Sequence, residues 1–465
     1  MSTLKTDQAF INALIGVCGR DHVLAGTEQC WAYGYDNSKR HGQPAAVVFP
    51  DNHEAVEAIV KLCNTHNIPA IARGRGTGTT GGSVPILGGV IISNERMDNI
   101  ICVDIDNRLM VVQPGVLNQT VQDEAAKHGF FWPPDPTSAA YCTIGGNLAL
   151  NSAGPRALKY GTPRENTLGL RAVTGSGEGF RCGTRTTKGV VGYDLTRLVI
   201  GSEGTLAVIT EAILKLTPLA QSKATLKVEY RNMRSAALGV SRIMRQSTIP
   251  CALEFIDGQS LAIIRRYGTL DIAEGVGAIL MIEVDGPTDG LTTQLQAVAQ
   301  AAEGEGMIGA QQAESENDIQ ALWATRKALS PALRTAAPRK INEDVVVPVS
   351  KMADLIDGLE KLSIQYAIPI VNFGHAGNGN IHVNLLLQSD EQAHSPQAQA
   401  CLSDVFSLVL ALGGTLSGEH GIGLEKRDFV DRALDPTSLQ LMRRIKALFD
   451  PLTILNPDKV LPKQN

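Results

Sequence analysis

Hydrophobic and polar positions follow two different textures along the chain. Over residues 1–218 short β-branched runs alternate with turns. Ala45-Ala-Val-Val-Phe49, Gly89-Val-Ile-Ile-Ser93, Leu109-Met-Val-Val-Gln113 and Thr205-Leu-Ala-Val-Ile209, bounded by Gly, Pro and Asn, predict strands. Between the first two, Val56, Ile59, Val60 and Cys63 recur at helical spacing and Pro69 follows, which predicts a helix over His53–Asn67 leading into the next strand. From Thr225 the alternations lengthen. Strands are expected at Thr225–Tyr230, Ala252–Ile256 and Ala278–Val284, and helices at Met233–Gln246 and Thr288–Glu303. That order predicts an antiparallel sheet covered on one side, a second domain. Further helices are expected at Ile319–Thr335, Ser350–Gln365, Gln397–Leu412 and Ser438–Phe449. No Pro/Ser linker separates the halves, so the chain is expected to return to its first domain. The fold class is α+β, with boundaries at 1–218, 219–420 and 421–465.

Composition removes several functions. A chain of 465 residues, 43% hydrophobic, can form two or three domains with proper cores. A net charge of −5 without any Lys/Arg run lacks the electrostatic footprint of a nucleic-acid binder. The eight cysteines are scattered and include no C-x-x-C, so no thiol zinc site or iron–sulfur cluster is encoded locally, and a reducing cytoplasm fits. No stretch reaches the ~18 apolar residues of a membrane span, and Met1–Asp7 lacks the order of a signal peptide. Peripheral contact with the inner face of a membrane, and a homodimer, are left open.

Chemistry concentrates in glycine loops and in a histidine hairpin. Ala72-Arg-Gly-Arg-Gly-Thr-Gly-Thr-Thr-Gly-Gly82 follows a strand-like segment and offers bare backbone N–H groups to a pyrophosphate, outside the dinucleotide fingerprint. Thr143-Ile-Gly-Gly-Asn147 with Gly154, and Gly201-Ser-Glu-Gly-Thr205, supply two more such loops; surface turns are the plain alternative. In His375-Ala-Gly-Asn-Gly-Asn-Ile-His382, Asn378-Gly379 signals a two-residue hairpin that would set His375 directly opposite His382, with Asn384 on the same face. The alternative is a pair of hydrogen-bonded turn histidines. Ser417-Gly-Glu-His-Gly-Ile-Gly423 adds Glu419 and His420 in a flexed loop, and a three-ligand set of His375, His382 and Glu419 would leave positions open for substrate. Arg326 on a helix, and Arg339-Lys340 ahead of a strand over Ile341–Val347, are cations that would ordinarily be solvated.

The segments Arg73-Gly-Arg-Gly-Thr-Gly78, Pro133-Pro-Asp-Pro136, Thr143-Ile-Gly-Gly-Asn147, Lys159-Tyr-Gly161, Gly192-Tyr-Asp-Leu-Thr196 and Gly201-Ser-Glu-Gly-Thr205 resemble the vanillyl-alcohol-oxidase or p-cresol-methylhydroxylase (PCMH) type of FAD domain. Within it the chain is most similar to the glycolate oxidase flavin subunit, D-lactate dehydrogenase and D-2-hydroxyglutarate dehydrogenase group. The resemblance implies an FAD domain, a substrate (cap) domain with a metal site, and a returning C-terminal segment. It implies that Arg73, Gly74, Arg75, Gly76, Thr77, Gly78, Gly81 and Gly82 cradle the pyrophosphate. It assigns Pro134, Thr143, Ile144, Gly145, Gly146, Asn147, Gly154, Tyr160, Gly161, Gly204, Ile209 and Asn456 to the rest of the FAD. No histidine lies between His66 and His128, so non-covalent FAD is expected.

It also implies a divalent ion on His375, His382 and Glu419, zinc before manganese, with His420 as base and Arg326, Lys340 and Asn384 binding substrate. Oxidation of a D-2-hydroxy acid, best D-lactate, would send hydride to flavin N5. Electrons would leave to a quinone or an electron-transferring flavoprotein. D-2-hydroxyglutarate dehydrogenase and glycolate oxidase flavin subunit are the near alternatives. A non-redox FAD transferase of the alkylglycerone-phosphate-synthase kind and a non-catalytic flavin-binding partner are the remote ones.

Overall fold

The computed structural model describes residues 7–267, 272–313 and 315–463. They form two compact units, one of residues 7–154, 161–219 and 419–463, the other of residues 155–160 and the described residues between 220 and 418. Against the boundaries expected from sequence, Glu419 and His420 fall with the returning segment, and residues 155–160 with the second unit.

The first unit holds two main sheets. β1 (Val23–Leu24), β2 (Ala46–Val48), β3 (Ala70–Arg73) and β4 (Val90–Ser93) order as β1-β2-β4-β3, with β2, β4 and β3 parallel. The helix His53–Thr65 makes the crossover. Asn52 caps it by accepting from Ala55 N–H at 2.8 Å, and Val56, Ile59, Val60 and Cys63 are buried as their spacing predicts. The returning segment lies along β3, where Ala70 N–H donates to Ile454 O and Asn456 N–H to Ala70 O. The second sheet is antiparallel, built from β5 (Ile100–Asp104), β6 (Leu109–Val112), β8 (Thr167–Thr174), β9 (Gly179–Gly183) and β10 (Ala207–Lys215) in the order β5-β6-β10-β8-β9. A short pair, β7 (Phe130–Phe131) with β11 (Thr217–Pro218), stands apart. The strand expected over Thr205–Ile209 begins at Ala207, because Gly201 to Gly204 are spent on a turn with Gly201, Glu203 and Gly204 at positive φ.

The second unit is a seven-stranded antiparallel sheet of β12 (Ser222–Tyr230), β13 (Ala252–Asp257), β14 (Ala278–Gly286), β15 (Met307–Gln312), β16 (Arg339–Val346), β17 (Ile370–His375) and β18 (Asn380–Leu387), ordered β15-β12-β14-β13-β17-β18-β16. It is not covered on one side only, as the element order led one to expect. The helices Met233–Ile243 and Thr288–Ala302 lie on the face of Tyr230, whose hydroxyl donates to Ala302 O. On the other face, Leu261 and Ile264 of the helix Gly258–Tyr267 and Leu329 and Leu333 of the helix Glu316–Ala336 pack on Ile256, Ile279, Met281, Val371 and Phe373. The central strands β13, β17 and β18 are buried at every position, the pattern of a strand with both faces covered.

Two further expectations are corrected here. Arg339 and Lys340 do not precede the strand; they begin β16, an edge strand, where cations are tolerated in a ladder. The histidine hairpin has a four-residue connection, Ala376 to Gly379, in which Ala376–Asn378 form a 3₁₀ turn and Gly379 closes it at φ 69°. His375 therefore pairs with Asn380, and His382 with Phe373.

Candidate active site

In the first unit the three glycine loops interlock. A Cβ added at Gly74 would stand 2.4 Å from the hydroxyl of Thr143, so the first and second loops touch. Thr143 caps the helix Ile144–Leu150, taking Gly146 N–H at 3.3 Å, and Ile144 and Asn147 are buried beneath it. Gly201 N–H donates to Leu148 O and Glu203 N–H to Ala149 O, which seats the third loop on that helix. Asn456 then joins the first loop to the third, since its amide donates to Gly82 O and Glu203 O, each at 2.7 Å. Its oxygen accepts from Lys459, whose pKa burial lowers to about 8.

Arg73 is turned inward to Tyr35 O (2.8 Å) and the Ser83 hydroxyl (3.2 Å), bracing the loop from behind, while Arg75 is exposed. Gly145 abuts Pro114, and Gly154, at φ 78°, abuts the carbonyl of Asp135 in the Pro134 turn. Gly161 and Gly204 are also at positive φ. Ile209 is in the hydrophobic core of this unit, and Tyr160 belongs to the second unit, where its hydroxyl donates to Asp285.

The backbone here is a cradle that a side chain would fill. Gly76 sits at φ 66°, and an added Cβ would lie 2.4 Å from the Arg73 guanidinium. Gly78 differs, with a Cβ there in ordinary contact with Leu150 at 3.7 Å. A cleft of about 640 Å³ opens beside Gly76 and Thr77, walled also by Trp31, Tyr35, His41, Ser138 and Tyr141, a size within the usual range for cofactor sites. No periodic pattern marks Trp31 to His41; the three rings of Trp31, Tyr33 and Tyr35 within eleven residues are the only signal there. Gly76→Val is expected to lose bound FAD, because left-handed backbone alone costs a β-branched residue about 1–2 kcal/mol before any clash. Flavin absorbance per protein checks this, with the thermal midpoint as control.

The loop with Glu419 and His420 is anchored within the same unit. Glu419 Oε2 accepts from Ala153 and Gly154 N–H at 3.3 and 2.8 Å, and His420 O accepts from the Thr80 hydroxyl. Glu203 takes Ile422 N–H at 2.6 Å and Gly423 N–H at 2.9 Å. Burial pushes its carboxyl up, and Lys459 and Lys426 oppose that shift. Glu203→Ala leaves two buried donors and nearby cations uncompensated. It should lower stability by about 3–5 kcal/mol, read as a fall in the urea midpoint.

In the second unit one face of β17, β18 and β16 gathers the polar residues. His375 and His382, both buried, are diagonal neighbours with ring centroids 5.3 Å apart at 84°. Each has a carboxylate behind it: His375 Nδ1 binds Glu254, and Asp344 Oδ1 stands 3.8 Å from His382 Nδ1. Asp344 also takes the Asn380 amide (2.6 Å), the Ser417 hydroxyl (3.0 Å) and Gly418 N–H (2.9 Å). Asn384, on the same face, accepts from Lys340 Nζ at 3.1 Å. Arg326 reaches this face from its helix, bonding Glu254 at 3.2 Å and stacking on Phe373 at 4.6 Å. Neither Glu254 nor Asp344 stands out in the sequence, although a carboxylate inside the apolar run Ala252–Ile256 has to be partnered to be buried at all.

Interlocked glycine loops beside an open cleft in one unit, and in the other a sheet face that gathers paired imidazoles and two cations, fit a two-unit flavoprotein oxidoreductase. The chain belongs to the family of FAD-linked oxidases: residues 219–460 match the family described as "FAD linked oxidases, C-terminal domain" and residues 44–183 the "FAD binding domain". It is 36% identical to the glycolate oxidase subunit GlcD of Bacillus subtilis, over 97% of this chain and 96% of that one. It is 36% identical to D-lactate dehydrogenase of Archaeoglobus fulgidus (93% and 96%), and 30% identical to D-2-hydroxyglutarate dehydrogenase of Stutzerimonas stutzeri (98% and 99%). Its fold is that of p-cresol methylhydroxylase, TM-score 0.78 at 17% identity over 97% of this chain and 95% of that one. Alkyldihydroxyacetonephosphate synthase shares the fold as well, TM-score 0.74 at 20% identity over 99% and 86%. Among the described residues no helix is long and apolar enough to cross a membrane.

Proposed function

We propose that the protein oxidises a D-2-hydroxy acid, D-lactate first, to the 2-oxo acid. Electrons then leave its FAD for a quinone or an electron-transferring flavoprotein. The observation that carries this reading is the polar island on one face of the sheet, two buried imidazoles backed by Glu254 and Asp344 with Arg326, Lys340 and Asn384 around them, beside the apolar packing of Ile256, Ile279 and Val371. The relatives named for lactate, glycolate and hydroxyglutarate agree that such an acid is the substrate class.

Bound FAD supplies the acceptor for the α-hydrogen. The donor set, imidazole nitrogens with a carboxylate, suits zinc before manganese: with Nδ1 of His375 engaged by Glu254, its Nε2 is the nitrogen that would face an ion. His375 and His382, with Glu419 as the ligand that the resemblance adds, would hold the ion, which supplies Lewis acidity at the substrate hydroxyl. Arg326 grips the carboxylate through its guanidinium fork and Lys340 adds a point charge, so the acid is held in one orientation. Asn384 keeps Lys340 in place. His420 takes the hydroxyl proton at an imidazole nitrogen.

Purified protein should reduce a dye acceptor with D-lactate at the highest kcat/KM among D-lactate, L-lactate, glycolate and D-2-hydroxyglutarate. A clear preference for D-2-hydroxyglutarate or glycolate would reassign the substrate within the class. No turnover with any of the four would remove the class itself and favour the transferase reading.

A further inference from the structure

Glu254 is 2% exposed in a strand buried throughout, and such a charge persists only where both its oxygens are engaged. Register sets it directly opposite His375, and the helix Glu316–Ala336 brings Arg326 to the same carboxylate. One oxygen accepts from His375 Nδ1–H, the other from Arg326 Nε–H at 3.2 Å. We propose that Glu254 is a positioning residue shared by the metal site and the substrate-carboxylate clamp, an inference that rests on the roles given to His375 and Arg326 above.

The two bonds do different work. The first fixes the tautomer and the ring plane of His375 and increases its basicity, as carboxylate partners do behind metal-binding histidines. The second engages Arg326 at Nε, so the Nη edge of the fork is the one turned to a carboxylate, while Phe373 supports the guanidinium plane from one side. A single rigid anion thus ties the imidazole that would hold the ion to the cation that would meet the substrate carboxylate, and a 2-hydroxy acid carries its hydroxyl and carboxylate on adjacent carbons.

Glu254→Gln separates this role from a structural one. The amide keeps the volume and one acceptor, but points N–H at one of two donors. The FAD-loaded protein, stripped with a chelator, is titrated with Zn²⁺ against a chromogenic competitor, and KM is then measured at saturating Zn²⁺. The variant should bind Zn²⁺ roughly 10–100-fold more weakly and show a raised KM, with unchanged FAD content. The zinc effect should vanish in a His375→Ala background and the KM effect in Arg326→Ala, as a double-mutant cycle requires. Should Glu254→Gln fail to fold, Glu254→Asp, which keeps the charge but falls one methylene short, is read in the same way. Wild-type uptake of Zn²⁺ with unchanged affinity in the variant, or an effect on only one of the two quantities, would overturn the shared role while leaving the metal reading intact. A wild-type protein that takes up no Zn²⁺ would remove the metal reading and this proposal with it.

Discussion

His375→Ala and His382→Ala are each expected to lower kcat/KM by about 10³-fold or more and to empty the protein of divalent metal, while bound FAD stays near the wild-type level. A Lewis acid contributes several kcal/mol to a transition state that develops charge on oxygen, and each 1.36 kcal/mol is tenfold in rate. The flavin is retained because the glycine loops belong to a unit that neither histidine helps to build. Chelation of the wild-type protein should reproduce the loss, with Zn²⁺ or Mn²⁺ restoring it. Metal analysis beside flavin absorbance and steady-state kinetics checks all three statements. Full activity in a demonstrably metal-free sample would end the metal role.

His420→Asn is expected to reduce kcat by about 10²–10⁴-fold, the usual contribution of general-base assistance, with FAD and metal contents unchanged. Asparagine approximates the volume of the ring and keeps a hydrogen-bonding group, and the loop has anchors apart from the imidazole: Glu419 Oε2 on Ala153 and Gly154 N–H, His420 O on Thr80, Ile422 and Gly423 N–H on Glu203. The backbone should therefore hold its place without the imidazole. A variant that keeps kcat and changes only KM would make His420 a substrate-positioning group.

Much of this was readable beforehand, and the failures have physical causes. The helix His53–Thr65 and the strands β12, β13 and β14 declared themselves because hydrophobic period and turn residues agreed, whereas the largely exposed edge strand β15 carries no such period and is absent from the expectation. The hairpin register did not. Asn378-Gly379 reads as the whole turn, but in Ala376–Gly379 Gly379 alone takes positive φ and Ala376 to Asn378 form the 3₁₀ arc before it. The error displaced the pairing by an even step, which preserves the face: Asn384, His382 and His375 still point the same way, although the histidines are diagonal rather than opposite. Arg339-Lys340 reads as a boundary because it is a charged pair, yet an edge strand admits it. Glu254 was hidden for the opposite reason, since apolar periodicity masks the one carboxylate it contains. Glu203 and Asn456, which join segments hundreds of residues apart, leave no local pattern at all.

Anaerobic mixing of the FAD-loaded protein with D-lactate, followed through the visible absorbance of the flavin, tests the central claim most directly. The flavin should bleach rapidly in the metal-replete protein, far more slowly after chelation, and rapidly again once Zn²⁺ is returned. A flavin that stays oxidised with D-lactate, glycolate and D-2-hydroxyglutarate alike in the metal-replete protein would contradict the account.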